Sequence, residues 1–153
     1  MASEFEQAQA QLNAHDRQRY RPIQWSHGVN WVQHRTQGDS WHGFEAVRSL
    51  PGLPPEVLLV PTVGHSAGHA AIAVQTSTGW LMHCGDAYFH RGEVDSTAPG
   101  CTPGLRFFQW LVAYDRKARL HNRDRLAELS AGSDDVRLLC AHDPTEFARL
   151  AQG

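Results

Sequence analysis

Four apolar segments between residues 44 and 86 constrain the fold of this chain more than any other feature. They are FEAVRSL, EVLLVPT, AAIAVQT and WLMHCGD, each strand-sized and rich in valine, isoleucine, leucine or alanine. The turns between them contain glycine or proline, as in PGLPP and STG, and leave no room for a helix. Because parallel neighbours need a crossover of about a dozen residues or more, these segments predict adjacent antiparallel strands. The consecutive apolar residues of VLLV predict a strand that is buried on both faces.

Helical patterns follow in the second half of the chain. Pro103 is well placed for the first turn of a helix, and apolar residues then recur at helical intervals. We predict a helix that begins there and continues, or kinks, through to Gly132. The run VRLLCAHD at 136–143 predicts another strand, and PTEFARLAQ predicts a short closing helix. Together the elements predict an α/β (α+β) fold with a mostly antiparallel sheet flanked by helices.

Composition narrows the class of protein. The chain has 153 residues, of which 41% are hydrophobic and 20% charged, and this predicts a single domain over residues 1–153. A net charge of −2 with no basic patch argues against a nucleic-acid partner, and strand-sized apolar runs argue against a membrane partner. The three cysteines are odd in number and widely spaced, which predicts free thiols and a cytoplasmic location.

Two histidines stand four residues apart in the turn PTVGHSAGHAAIAV at 61–74. On a helix this spacing would place His65 and His69 on one face, as in the HExxH zinc motif. Glycines interrupt the segment, however, and position 66 holds no glutamate. The local pattern therefore predicts a turn that leads into a strand, and it leaves open whether either histidine binds a metal.

Three polar residues stand at the ends of predicted strands. His69 precedes AAIAV, Asp86 follows WLMHCG, and His142 follows VRLLCA. Two imidazoles and one carboxylate form a plausible ligand set for zinc, iron or manganese. Taken singly, each has a structural explanation, since a lone histidine is more often a hydrogen-bonded structural residue and glycine-aspartate is a common turn. Spacing alone leaves both interpretations open.

The segments PTVGHSAGHAAIAV, GWLMHCGDAYF and LLCAHDPTEF together resemble the third, fourth and fifth motifs of the metallo-β-lactamase superfamily, which includes glyoxalase II and the acylhomoserine lactonases. Both the order and the spacing agree, and the resemblance extends from Glu56 to the C-terminus. It implies an αββα sandwich built from two αβ halves, of which this chain holds the C-terminal half.

The resemblance also implies roles for individual residues. His69 and His142 would be metal ligands, and Asp86 would be the catalytic carboxylate that bridges two metals. The metals would be zinc, or iron or manganese, and would share an activated water. The second ring nitrogen of each ligand histidine would be held by a carboxylate or a carbonyl. His65 would help to shape the turn. Independently of the resemblance, Tyr88 and His90 lie on the loop that leaves Asp86, where either could contact the substrate or stabilise an oxyanion; Tyr88 is the predicted catalytic residue of the two.

One expected motif is missing. The principal signature of the superfamily, HxHxDH, is absent, because no two histidines are separated by a single residue and no aspartate directly precedes a histidine. His69 and His142 would then each serve one metal alone, with Asp86 shared, whereas catalytic zinc usually has three protein ligands. We therefore expect weak metal binding and little hydrolysis by this chain alone.

Two functions remain open at this point. The first is a metal-dependent hydrolase of a small ester, lactone or thioester, or its C-terminal fragment, which needs an N-terminal half or another copy as partner. The second is a non-catalytic, oligomerising remnant or binding module of the same fold. Either predicts a homo-oligomer, because half of a sandwich exposes an apolar face and an unpaired edge.

Overall fold

The computed structural model describes residues 20–30, 38–50 and 52–151. The chain divides into two compact units, Met1–Arg35 and Thr36–Gly153. In the first unit the described residues include a short 3-10 helix, Pro22–Trp25, in which proline occupies the first position. The second unit contains every strand and helix discussed below. The prediction of one domain over residues 1–153 stays a prediction.

Six strands form a sheet in the second unit, and neighbours in the sequence are neighbours in the sheet. The first five pair antiparallel, which confirms the prediction for the four segments between residues 44 and 86, and the last pairs parallel to the fifth. The strands are β1 (Asp39–Trp41), β2 (Phe44–Ser49), β3 (Val57–Pro61), β4 (Ala70–Thr76), β5 (Gly79–His83) and β6 (Val136–Leu139).

Within the described residues, three α-helices accompany the sheet: α1 (Pro103–Val112), α2 (Arg116–Gly132) and α3 (Pro144–Ala151). The mostly antiparallel sheet with flanking helices confirms the predicted fold class. The helical pattern predicted over 103–132 is divided into two helices. The second helix begins after Asp115, whose carboxylate accepts a hydrogen bond from the Ala118 amide and so caps its N-terminus.

The break between α1 and α2 fastens the histidine-bearing turn. The Tyr114 amide donates to the His65 carbonyl at 3.2 Å, and the Asp115 amide donates to the Gly64 carbonyl at 2.9 Å. The Asn122 side chain of α2 adds a third bond, to the Val63 carbonyl at 2.8 Å. The turn before β4 is therefore held in place by the break between α1 and α2 and by α2 itself, all far from it in the sequence.

One face of the sheet forms the core. Met82 of β5 is fully buried and belongs to a single apolar cluster with Leu126 and Leu129 of α2. The prediction that β3 is buried on both faces is wrong for the described residues. Val60 is buried, but Val57 and its neighbours up to Leu59 are only half-buried, because side chains alternate along a strand and α2 packs on one face.

The opposite face carries a contiguous aliphatic surface. Val57 is paired with Val74, and Leu59 with Ile72, while Val74 is also paired with Leu81. These side chains share one face because paired residues point the same way. Val74 is 38% exposed. None of the helices within the described ranges has the length and apolar character needed to cross a membrane.

The three cysteines are free, as predicted. Burial raises the pKa of Cys84 well above its usual value, and the nearby Glu146 carboxylate raises it further. Burial likewise raises the pKa of Cys140 to about 12. The Cys101 thiol is only partly buried, although partial burial and Glu93 raise its pKa too. Cys101 is therefore the most accessible thiol.

We expect one thiol per native chain to react readily with Ellman's reagent at mildly alkaline pH, and all three to react in concentrated guanidinium chloride. Buried thiols with raised pKa carry little thiolate, and only the thiolate is nucleophilic. In the Cys101→Ser variant the rapid reaction should disappear. A rapid reaction of the native Cys101→Ser protein would contradict the buried positions of Cys84 and Cys140.

Candidate metal centre

The residues predicted from strand ends do meet at one edge of the sheet. His69 directly precedes β4, Asp86 comes three residues after the end of β5, and His142 comes three residues after the end of β6. Because β4, β5 and β6 are adjacent in the sheet, these ends lie side by side. The sheet thus brings His69 and His142, which are 73 positions apart in the sequence, to the same edge.

Asp86 lies at the centre of the cluster. Its Oδ1 is 2.9 Å from Nε2 of His142, and its Oδ2 is 3.1 Å from Nε2 of His65. The carboxylate therefore lies between two imidazoles, each of which can donate a hydrogen bond to it. The side chain of His142 is 50% exposed and that of Asp86 is 32% exposed, whereas His65 is 14% exposed. The cluster is accordingly open to solvent on the His142 side.

The orientation of His69 is fixed by its neighbours. Its Nδ1 lies 2.9 Å from both the carbonyl and the hydroxyl oxygen of Thr62, so that an Nδ1–H can donate to the carbonyl. Its Nε2 accepts the Asp86 amide at 3.0 Å. Ring nitrogens held by a backbone carbonyl, as expected for this residue, are typical of metal-binding histidines. This tautomer, assigned from the partners, presents the Nε2 lone pair toward Asp86.

Gly85 makes the approach of His69 to Asp86 possible. Its φ is +54°, and a Cβ at this position would lie 2.9 Å from Nε2 of His69. A side chain here would therefore push the imidazole away from the cluster.

His65 was expected only to shape the turn, but the structure places its imidazole in the cluster beside Asp86. Its ring centroid is 5.8 Å from that of His69. The four-residue spacing of the two histidines was the sequence signal for this pairing. This spacing aligns two rings on a helix, but a turn does not fix their relative orientation, so the sequence alone does not predict that both face Asp86.

Phe89 forms an apolar wall that the sequence did not single out. Its ring centroid is 4.4 Å from that of His142 and 5.9 Å from that of His65. The same ring lies 6.1 Å from Phe108 of α1, which is 50% exposed. Phe89 itself is buried, so it shields the inner side of the imidazoles from water.

Tyr88 occupies a core position rather than the substrate-facing position that we predicted. Its side chain is fully buried, and its hydroxyl donates to the carboxylate of Glu146 at 3.0 Å. Burial raises the pKa of the phenol far above its usual value. A buried hydroxyl whose hydrogen is taken by a carboxylate cannot also stabilise an oxyanion in the cluster.

The residue after His142 attaches the cluster to the preceding loop. Asp143 accepts hydrogen bonds from the Arg91 amide at 2.9 Å and from the Arg91 guanidinium at 3.0 and 3.1 Å. It also accepts one from the Thr145 amide at the start of α3. Burial by itself would raise the pKa of Asp143, but these hydrogen bonds outweigh burial and lower it.

A second buried network holds the loop that contains Phe89. The carboxylate of Glu93 accepts hydrogen bonds from the amides of Phe89 and His90 at 3.0 and 3.2 Å, and from the Gln109 side chain at 2.9 Å. Arg119 lies 3.9 Å from the same carboxylate and donates to Gln109. Nε of Arg119 is buried and has no hydrogen-bond partner among the described residues.

The donor chemistry suits a divalent transition metal, but the donors do not form a complete site. Within the part of the chain that the structure describes, no group of three or more His, Cys, Asp or Glu side chains is arranged to hold a metal ion. Both carboxylate oxygens of Asp86 are in direct contact with imidazoles, and Nε2 of His69 faces an amide. The ligand types are those that a divalent metal takes, so this cluster can supply part of a metal's ligand set through His69, Asp86 and His142.

Comparison with known proteins places these observations in context. No protein-family model matches the chain. Probable metallo-hydrolases of Mycobacterium bovis and Mycobacterium tuberculosis are each 40% identical to it over 132 residues, covering 84% of this chain and 42% of the relative. The chain therefore spans less than half the length of these curated relatives.

Solved structures give more distant likenesses. An N-acyl homoserine lactone hydrolase with its product bound at the catalytic metal centre is 21% identical, with a TM-score of 0.46 over 63% of this chain and 34% of that chain. A quorum-quenching N-acyl homoserine lactone lactonase is 22% identical, with a TM-score of 0.44 over 60% and 34%. These two likenesses are too distant to add to the assignment.

The curated relatives are named as probable metallo-hydrolases, and the motifs quoted from the sequence agree with that description. The match to these relatives confirms the predicted resemblance of the chain to the C-terminal part of the metallo-β-lactamase fold.

Proposed function

We propose that this chain supplies His69, Asp86 and His142 to the active site of a metal-dependent hydrolase that acts on a small ester, lactone or thioester. The observation that carries the proposal is the position of Asp86, whose carboxylate oxygens contact the imidazoles of His142 and His65 while its amide faces His69. Imidazole and carboxylate are the ligands that zinc, iron and manganese take in hydrolases.

The residues of the chain have separate tasks in this proposal. A bound divalent metal, with zinc proposed first, would supply Lewis acidity and an activated water. Asp86 presents two oxygens from the turn after β5, and His69 is held in the ligating tautomer by Thr62. His142 stands on the solvent side, where a substrate would enter, and Phe89 excludes water from the inner side.

Other ligands must complete the set, because catalytic zinc usually has at least three protein ligands. We propose that they come from an N-terminal half of the fold or from another copy of the chain. The aliphatic surface on the outer face of β3, β4 and β5 supports such a partner, since large apolar surfaces tend to be covered. A homo-oligomer is the simplest form of this arrangement.

The alternative function is a non-catalytic binding or oligomerising module. It is favoured by the direct contacts of Asp86 with two imidazoles, which give the cluster a structural role without any metal.

Zinc binding separates the two functions. We expect equilibrium dialysis followed by metal analysis to show that Asp86→Ala lowers zinc affinity at least tenfold, because the carboxylate is the shared ligand. Asp134→Ala is the matched control, since Asp134 is exposed and lies before β6, away from the cluster. Size-exclusion chromatography with light scattering on the same samples shows whether zinc accompanies a monomer or an oligomer. Weak zinc binding that is lost only in Asp86→Ala would support the hydrolase site, whereas measurable zinc binding that does not depend on Asp86 would favour the non-catalytic module.

A further inference from the structure

A buried carboxylate joins the segments that bear Asp86 and His142. Glu146 lies in the first turn of α3 and is 8% exposed. Its carboxylate oxygens accept the Tyr88 hydroxyl at 3.0 and 3.2 Å, and one of them also accepts the Cys140 amide at 2.8 Å. Tyr88 comes two residues after Asp86, and Cys140 comes two residues before His142. Glu146 therefore contacts both segments close to the cluster.

The backbone connection between these segments ends just before the cluster. The Cys84 amide donates to the Leu139 carbonyl at 2.7 Å, and the Ala141 amide donates to the Gly85 carbonyl at 3.0 Å. Asp86 and His142 follow directly after this last backbone bond. Their relative position therefore depends on side chains that hold the two segments together beyond it.

Burying a carboxylate is unfavourable unless hydrogen bonds compensate for its lost hydration. Burial raises the pKa of Glu146, and the hydrogen bonds from the Cys140 amide and the Tyr88 hydroxyl offset this only in part. The fold thus retains a costly group at this place. A purely apolar side chain would fill the space without that cost, but it would leave the Tyr88 hydroxyl and the Cys140 amide without an acceptor.

We propose that Glu146 is a positioning residue that sets the distance between Asp86 and His142. Its hydrogen bonds go to Tyr88 and Cys140, so it acts on the cluster through the backbone of the two segments. The expected effect on metal affinity rests on the proposed function. The expected effect on the 2.9 Å contact between Asp86 and His142 does not. The buried Tyr88 thereby gains a role as the partner of Glu146.

The test compares Glu146→Ala with Glu146→Gln and with the exposed control Glu128→Gln on α2. Two readouts are taken at one neutral pH: the nitrogen-15 resonances of the histidine side chains without metal, and the affinity for zinc by dialysis. In Glu146→Ala we expect the His142 resonances to move toward those of a free imidazole, and zinc affinity to fall about tenfold or more.

Glutamine should rescue both readouts. Its carbonyl can accept the Cys140 amide and its NH2 can donate to the Tyr88 oxygen, so both connections survive. We expect Glu146→Gln and Glu128→Gln to keep the wild-type His142 resonances and to bind zinc within about twofold of wild type.

A merely structural role predicts a different pattern. If Glu146→Ala lowers the urea midpoint but leaves the His142 resonances unchanged, the positioning role is overturned. If Glu146→Ala does not fold, Tyr88→Phe is used instead, because it removes the hydrogen bond from Tyr88 to Glu146. Unchanged His142 resonances in Tyr88→Phe would then overturn the positioning role. Should no protein, including wild type, bind zinc, that result counts against the proposed function of this chain, while the metal-free resonances still decide the role of Glu146.

Discussion

Replacing Gly64 with alanine is expected to destabilise the second unit by about 3 kcal/mol or more, which is a large part of the 5–15 kcal/mol typical of a folded protein. Gly64 has a φ of +135°, a conformation that L side chains rarely adopt. A Cβ there would lie 2.3 Å from the Arg119 amide nitrogen and 2.5 Å from its Cα. These are backbone atoms inside α2, and they cannot move aside without disturbing that helix.

The neighbouring glycine of the same turn provides the control. A Cβ on Gly68 would meet no atom within 4 Å, and its φ lies outside the positive range. We expect Gly68→Ala to change the urea midpoint only slightly, whereas Gly64→Ala lowers it strongly or prevents soluble expression. Circular dichroism during urea unfolding measures both. Equal effects of the two substitutions would show that the close contact between the turn and α2 is absent in solution.

Removing the Glu93 carboxylate is expected to cost about 3–5 kcal/mol, the range for breaking a buried ion pair by deleting one partner. The Glu93 side chain is 4% exposed, and it faces Arg119, which is 9% exposed. Without Glu93, the guanidinium would remain buried with Gln109 as its remaining described hydrogen-bond acceptor. The amides of Phe89 and His90 would also lose their acceptor, so the wall beside His142 should loosen.

Glu93→Ala is best compared with Glu128→Ala, which removes an exposed carboxylate from α2. Urea unfolding gives the stability of each variant, and hydrogen exchange at the Phe89 and His90 amides reports the local loosening. We expect a large stability loss and faster exchange only in Glu93→Ala. A Glu93→Ala protein as stable as Glu128→Ala would mean that Arg119 finds water or another acceptor at little cost.

The strands and the candidate ligands were accessible from the sequence because they depend on local patterns. Strand-length apolar runs joined by short glycine turns predict antiparallel pairing, because such turns are too short for the crossover that parallel strands need. The structure has this pairing between those strands. Polar residues that directly follow such runs stand at strand ends, so His69, Asp86 and His142 were predictable as neighbours. The motif resemblance rested on the same short segments, and the relatives confirmed it.

The tertiary structure alone decided which side chains face one another. Asp115 begins a new helix in a pattern that was compatible with a continuous one, and this break holds the turn that points His65 at Asp86. Tyr88 was itself predicted to be catalytic because it follows Asp86 closely in the sequence, yet its hydroxyl pairs with Glu146, 58 positions away. Local periodicity determines backbone conformation within a segment, whereas the partner of a polar side chain depends on which distant segment packs against it.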